Sequence, residues 1–229
     1  EALKELGLQY CEDGIFETDL KKANEYFALA AEKGNTVAMV NLAISYQIGR
    51  EVEKNLSKAL ELYNRAAEAG DRYAAREAGR IYLIGEDNVI DVNYDKAIQL
   101  LHTPAEEDSE SCFLLAFAMN AKCDTRNGYS WELAENAFNY MYKAAQVEHP
   151  EAMYRVAYSL MEGRGVIIDM DSAKQWFEKT LSKDHRADEI KEILNNYFSG
   201  DDSAGKYPRY VYWHSISDNN PALVMEKEP

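Results

Sequence analysis

Three stretches carry residue types that could do chemistry. Met161–Phe177 reads MEGRGVIIDMDSAKQWF: a Gly-Arg-Gly, an apolar triplet, two aspartates, then Ser-Ala-Lys. A glycine loop holds phosphate when its backbone amides converge between a strand and a helix, with a Gly-Lys-Ser/Thr ending. Here that ending is absent and no strand pattern precedes the glycines, so the stretch reads as a turn. Ser203-Ala-Gly-Lys206 fits S-x-x-K, and Ser217-Asp218-Asn219 fits S-D-N. Together these suggest a serine nucleophile with a lysine base for acyl transfer. The companion K-T-G is missing, and the first motif sits in glycine-rich sequence rather than at the start of a buried helix. A serine acyl-transfer or hydrolase-type enzyme using this C-terminal segment is therefore the alternative reading. The four histidines, at 102, 149, 185 and 214, are dispersed and lack H-E-x-x-H spacing. No carboxylate pair stands out as an acid/base couple. The expectation is a protein with no catalytic residues, no metal and no cofactor.

Composition narrows the partner. Among 229 residues, 46% are hydrophobic and 28% charged, which supports a packed core and excludes a disordered chain. Forty acidic residues against 25 basic ones leave a formal net charge of −15. That field repels a polyanion, so nucleic acid is not the expected partner, and a basic one suits the sign better. Three cysteines are too few for a disulfide framework. If Cys112 and Cys123 share a helix they stand roughly 16 Å apart, whereas a bridge needs Cα atoms within about 7 Å. Free thiols favour a reducing compartment, the cytoplasm; an exported protein with unpaired cysteines is the alternative. The longest apolar run, CFLLAFAMNA, falls short of the ~18 residues that span a bilayer. Membrane insertion is not expected, and no signal segment opens the chain. Because residue 1 is glutamate, the chain reads as a processed form or a piece of a larger protein.

The dominant feature is self-similarity. Ala2–Tyr10 (ALKELGLQY), Ala38–Tyr46 (AMVNLAISY) and Ala74–Tyr82 (AAREAGRIY) align without gaps at a spacing of 36 residues. Further copies start at Cys112 (CFLLAFAMN) and Ala152 (AMYRVAYSL). A small residue recurs five positions in, at Gly7, Ala43, Gly79 and Ala157, with Phe117 the exception. A second block follows each first one, as in KKANEYFALAAEKG from Lys21 and SKALELYNRAAEAG from Ser57. Its third residue is always alanine, and large apolar residues follow at helical spacing. Gly34 and Gly70 close two of these blocks, where a helix end favours a left-handed residue. The pattern predicts a helix pair per repeat. The first helix offers small residues for close approach; the second supplies the bulk that fills the gap to the next pair. Gly49, Gly85 and Gly163 occupy one matching position between the helices, so the Gly-Arg-Gly is the turn of the fifth repeat.

These residues resemble a known family. "AxxxLGxxY", a glycine turn, Lys-Ala and then Ala-Ala-Glu-x-Gly are similar to the Sel-one-like repeat (SLR) family, a relative of the tetratricopeptide repeat. The stretch from Tyr158, YSLMEGRGVIIDMDSAKQWF, comes nearest the family pattern. The resemblance covers about residues 2–185. It implies an all-α fold, a right-handed α/α superhelical solenoid of antiparallel helix pairs. It implies a protein–protein interaction scaffold or adaptor that binds a peptide or protein on its concave surface, without catalysis. A structural repeat fragment of a larger multidomain protein is a further reading. Residues 1–200 are expected to form the solenoid, five repeats plus a half-repeat. Residues 201–229, with Tyr207, Tyr210, Tyr212 and Trp213, are expected to cap its last face.

Local departures carry their own expectations. Pro104 removes an amide donor, so the second helix of repeat three should break near Thr103. Repeat four carries the insertion AKCDTRNGYSWEL, with Ser130 placed to cap the helix after it. Cys112–Ala121 is nearly apolar all round, which predicts burial on every side. The lining register of tetratricopeptide-like arrays points to Val37, Val40 and Ile44, then Tyr73, Arg76 and Arg80, then Glu151, Tyr154 and Tyr158. Asn41 and Arg155 stand at its edge. Arginine and tyrosine dominate binding hot spots. The expected partner-binding residues are thus Asn41, Tyr73, Arg76, Arg80, Tyr154, Arg155 and Tyr158, and arginine forks would hold a carboxylate-bearing segment.

Overall fold

The computed structural model describes residues 1–11, 19–85, 89–123 and 130–198. Regular structure among them is helical, with no β-strand. The first three repeats form the pairs Ala2–Cys11 (α1) with Leu20–Glu32 (α2), Thr36–Ile48 (α3) with Leu56–Glu68 (α4), and Arg72–Ile84 (α5) with Tyr94–Leu101 (α6). Ser109–Cys123 (α7) pairs with Trp131–Gln146 (α8), and Pro150–Glu162 (α9) with Met170–Leu181 (α10). Ala187–Phe198 (α11) follows as a half-repeat. This is the expected all-α solenoid of helix pairs. The chain divides into two compact units, Glu1–Pro104 and Ala105–Pro229. The proposed cap at 201–229 lies outside the described residues.

The small-against-large rule is visible atom by atom in the first unit. A methyl group added at Gly7 would stand 2.5 Å from the Phe27 ring, and one at Gly79 would stand 2.6 Å from Leu101 Cγ. Ala43, at the same position in the second pair, is fully buried beneath the buried Tyr63 layer. Phe27, Tyr63, Leu42 and Ile81 form one continuous apolar cluster across the pairs. In the second unit Leu115, Met141, Met153, Val156, Phe177 and Ile190 are buried together with Ala157.

The turns between the paired helices of repeats one, two, three and five are closed by one repeated set of bonds. Asp19, Asn55, Asn93 and Asp169 cap the second helices, their side chains accepting from the amides of Lys22, Lys58, Lys96 and Ser172. Their own amides donate back to the carbonyls of Tyr10, Tyr46, Tyr82 and Leu160 at 2.8–3.1 Å. The lysine at the third helical position then lies over the tyrosine ring in three repeats, at 5.5, 5.2 and 4.9 Å. Ser130 caps α8 through the Leu133 amide, as its position suggested. The insertion is partly helical, since α7 runs to Cys123.

Pro104 breaks its helix as expected: α6 stops at Leu101, and Pro104–Glu106 forms a single 3-10 turn. The expectation for α7 is corrected. It is not buried all round, because Phe117 is exposed. The Arg155 guanidinium lies 5.3 Å from the Phe117 ring centre, so a cation rather than a further helix covers that face. The Gly-Arg-Gly turn is structural. Gly163 terminates α9 at φ 73°, and Gly165 takes φ 69° with its Cα pressed against α8. A methyl group there would stand 2.1 Å from Ala134 O.

Four of the second helices are followed by a left-handed residue two or three positions before the next helix. Gly34 and Gly70 fill that position in repeats one and two, at φ 83° and 93°; Glu148 and Asp184 fill it in repeats four and five, at φ 64° and 56°. Two substitutions should move stability in opposite directions. Gly165→Ala loses at least about 2 kcal/mol, from left-handed strain plus a backbone collision. Asp184→Gly gains about 0.5 kcal/mol, relieved strain being partly offset by the freer unfolded chain. Urea denaturation of both variants beside the parent chain measures this.

Candidate functional site

In the first unit, the lining register splits into an apolar part and a charged part. Val40 and Ile44 on α3 turn partly inward and pack on the core. Asn41 uses its side-chain amide on the carbonyl of Val37, 2.9 Å away in its own helix. Val37 and Tyr73, equivalent positions in consecutive repeats, are each 42% exposed. Tyr73 meets the buried Tyr63 edge-on at 6.5 Å, and the Arg76 guanidinium lies 5.0 Å from its ring centre. Burial raises the Tyr73 hydroxyl pKa above its ordinary value. Arg80 grips one carboxylate oxygen of Glu77 with Nε and Nη2 at 3.1 and 2.8 Å. Arg76 reaches the other oxygen at 3.6 Å. The register therefore holds an exposed tyrosine and two half-buried arginines that flank one glutamate.

The second unit gathers Tyr154, Arg155 and Tyr158 on α9, but it does not leave them equally open. Tyr154 is only 7% exposed. Its ring packs against Tyr158 and Phe177 with centroids 4.9 and 6.0 Å apart, and its hydroxyl donates to Glu189 on α11. Burial and that carboxylate push the phenol pKa well up. The Arg186 guanidinium lies 4.6 Å from the same ring.

Glu151 is the hub of this unit. Its Oε1 accepts from Arg155 Nε at 2.8 Å and Arg186 Nη2 at 3.2 Å; its Oε2 accepts from His185 Nε2 at 2.9 Å and Arg186 Nε at 3.0 Å. Arg186 Nη1 adds a bond to Glu189 at 3.1 Å. Arg186 itself sits at φ 49°, a left-handed strain that these bonds compensate. Burial alone would raise the Glu151 pKa, but the His185 and Arg186 hydrogen bonds and the Arg155 charge outweigh it, so its carboxyl lies below the usual range.

Beside this hub opens a cleft of about 570 Å³, lined by Phe117, Asn120, Tyr158, Glu162, Arg164 and Arg186 among others. Glu162 differs from every acid described so far. It makes no hydrogen bond or ion pair among the described residues. Burial raises its pKa, and the Arg164 charge opposes that only in part. Arg164 Nη2 reaches the Asn120 carbonyl at 3.4 Å. The Asn120 side-chain oxygen is buried and accepts no hydrogen bond from a described residue. Asn120, Glu162, Arg164, Arg186 and Glu189 were not singled out from the sequence. One signal was available for Glu162: Gly163 aligns with Gly49 and Gly85, so Glu162 stands where Ile48 and Ile84 stand, and both are more than half exposed.

Among the described residues no three His, Cys, Asp or Glu side chains are grouped to hold a metal ion. No described helix is long and apolar enough to cross a membrane. Ser203, Lys206 and Ser217–Asn219 lie outside the described residues.

Helix pairs that are closed by one recurring turn and share a core define a helical-repeat solenoid. More narrowly, the chain belongs to the Sel1 repeat family, whose model matches residues 1–35, 36–71, 72–107, 134–149 and 150–185. Only the second half of repeat four is matched, in keeping with its insertion and its Phe117. Among solved structures, the chain is similar to a Sel1 repeat protein from Oxalobacter formigenes, at 23% identity and a TM-score of 0.71, covering 91% of this chain and 83% of that one. It is also similar to a protective antigen of uropathogenic Escherichia coli strains that displays an SLR fold, at 24% identity and a TM-score of 0.69. That match covers 84% of this chain but spans only 40% of the antigen's length. Identities this low carry the fold alone. No curated protein sequence matches the chain. Sel1 repeat proteins are generally protein–protein interaction scaffolds.

The Glu151 hub gives a pH-dependent prediction. A carboxyl whose pKa is lowered by folding stabilises the native state above its unfolded value, and that stabilisation is lost as pH falls through the folded value. Glu151→Gln should cost about 1–2 kcal/mol at neutral pH, a range kept small because Arg155 and Arg186 remain solvent-screened. The gap between parent and variant should close below about pH 4. Denaturation midpoints measured from neutral to acid pH test both statements.

Proposed function

We propose that the chain is a protein–protein interaction scaffold. It takes a peptide segment of its partner along the first-helix faces, which such arrays turn to their concave side. The observation that carries this reading is the exposed Tyr73 on α5 with the half-buried Arg76 guanidinium stacked on it, and Arg80 one turn further along. A tyrosine held edge-on by a buried tyrosine loses little freedom on binding, and a guanidinium stacked on it is already oriented. Carboxylates of the bound segment would compete with Glu77 for Arg76 and Arg80, whose planar forks suit them. Asn41, one repeat earlier, lines the same register. In the second unit Arg155 and Tyr158 stand on the first-helix face of α9, with the buried Tyr154 packed against Tyr158.

Selection of a displayed random-peptide library on the full chain tests the reading. Binders should emerge, and an Arg76→Ala, Arg80→Ala double substitution should weaken them by about tenfold or more. Binders that keep their affinity for that double variant would reject the α5 face as the docking surface.

A further inference from the structure

Two of the three arginines that line the cleft, Arg155 and Arg186, are already occupied, and this changes what the cleft can take. Arg155 and Arg186 spend their forks on Glu151 and Glu189 at 2.8–3.2 Å. His185 adds its donor to the same carboxylate. What remains facing the cleft is two acceptors beside one donor: the Glu162 carboxylate, with no hydrogen bond or ion pair among the described residues, the buried, unfilled Asn120 Oδ1, and the buried Nε of the Arg164 guanidinium. A half-buried carboxylate without a donor costs free energy, as does an orphaned amide oxygen. Natural structures keep such groups mainly where something else completes them. Phe117 on α7 and Tyr158 on α9 provide ring faces on the same cleft. Two acceptors bordered by aromatic faces are the complement of a flat cation rich in N–H donors.

We propose that the cleft between α7 and α9 is a pocket for a basic side chain, arginine in preference to lysine, presented by the protein partner. The preference follows from shape. A guanidinium offers five donors in a fixed plane, enough to reach a carboxylate and an amide oxygen together, and it stacks on rings with a smaller loss of hydration than an ammonium. The unit already uses this packing twice, with Arg155 on Phe117 and Arg186 on Tyr154. Arg164 lies on the same cleft and offsets part of the Glu162 charge, so the site is tuned to one cation rather than a run of them. The chain's net charge of −15 draws a basic segment toward it. In the second and third repeats the equivalent positions are Ile48 and Ile84, and in the first the same 36-residue register holds Glu12, so the pocket's carboxylate is not a feature of every copy. This inference rests on the scaffold reading and adds the chemistry of one anchor.

The same displayed library provides the test. Selected peptides should be enriched in arginine and should lose about tenfold or more of their affinity for Glu162→Gln. Glu68→Gln, an equal charge change on an exposed face of the first unit, should leave that affinity unchanged. L-Argininamide at millimolar concentration should displace the peptides from the unaltered chain, and glycinamide should not. Peptides without basic enrichment, or with equal affinity for Glu162→Gln, would overturn the pocket while the scaffold reading stands. Binders sensitive only to the Arg76, Arg80 double substitution would have the same effect. If Glu162→Gln melts early by circular dichroism, the displacement experiment on the unaltered chain decides, and failure of L-argininamide to compete overturns the proposal. A library that yields no binder removes both readings together.

Discussion

Close approach between paired helices is the constraint on which the rest of this molecule depends. Where Gly7 faces Phe27 and Gly79 faces Leu101, there is no room for even one methyl group. That proximity lets one aromatic or aliphatic side chain plug the gap between a first helix and its second. The plug then presents its far side to the next pair, so buried side chains are contiguous from α2 to α5. Without the small residue the second helix would ride outward, and the cap-to-tyrosine backbone bond that closes the turns of the first three repeats could not form. Turn geometry and core packing are thus one condition stated twice.

The second unit meets the same condition with different residues. Gly165 abuts the backbone of α8 itself, and Ala157 and Phe177 are both fully buried. Its outer layer is held by charge more than by bulk. One carboxylate, Glu151, ties the turn bearing His185 and Arg186 to α9, and Arg186 passes the connection on to Glu189 at the start of α11. A repeat array needs something to hold its last elements down, because each helix is supported only by neighbours. In this unit an ionic clasp and the Phe177–Phe198 ring contact share that task.

What was legible in the sequence was local or periodic. The 36-residue spacing, the small-and-large alternation, the break at Pro104 and the cap at Ser130 each need only a few neighbouring residues to be decided. The candidate site was legible in part. Counting along α5 found Tyr73, Arg76 and Arg80 on one face, because a single helix sets their directions. It could not foresee that Tyr154 would be covered, since the cover comes from α11 and from an arginine more than thirty positions away. Nor could it see that Arg155 and Arg186 converge on Glu151, across a turn before α11 that holds two left-handed residues, Asp184 and Arg186. Phe117 misled for a similar reason. An apolar helix face predicts burial, but a guanidinium can satisfy that face as well as a neighbouring helix can.

Repetition itself makes the exceptions informative. Each position in an array has siblings in the other copies, and the siblings state what packing alone requires there. At the residue before the turn glycine, packing requires little: Ile48 is 55% exposed and Ile84 is 64% exposed. A glutamate at that position in the fifth repeat is therefore not demanded by the fold. Yet Glu162 is more enclosed than either isoleucine and carries a charge that burial disfavours. A residue that folding does not require, placed where it is costly to keep ionised, has its explanation in what it meets from outside the chain. Glu151, by contrast, is fully accounted for by the side chains around it. Two glutamates eleven residues apart on one helix thus divide the work: one closes the structure, and the other is left for a ligand.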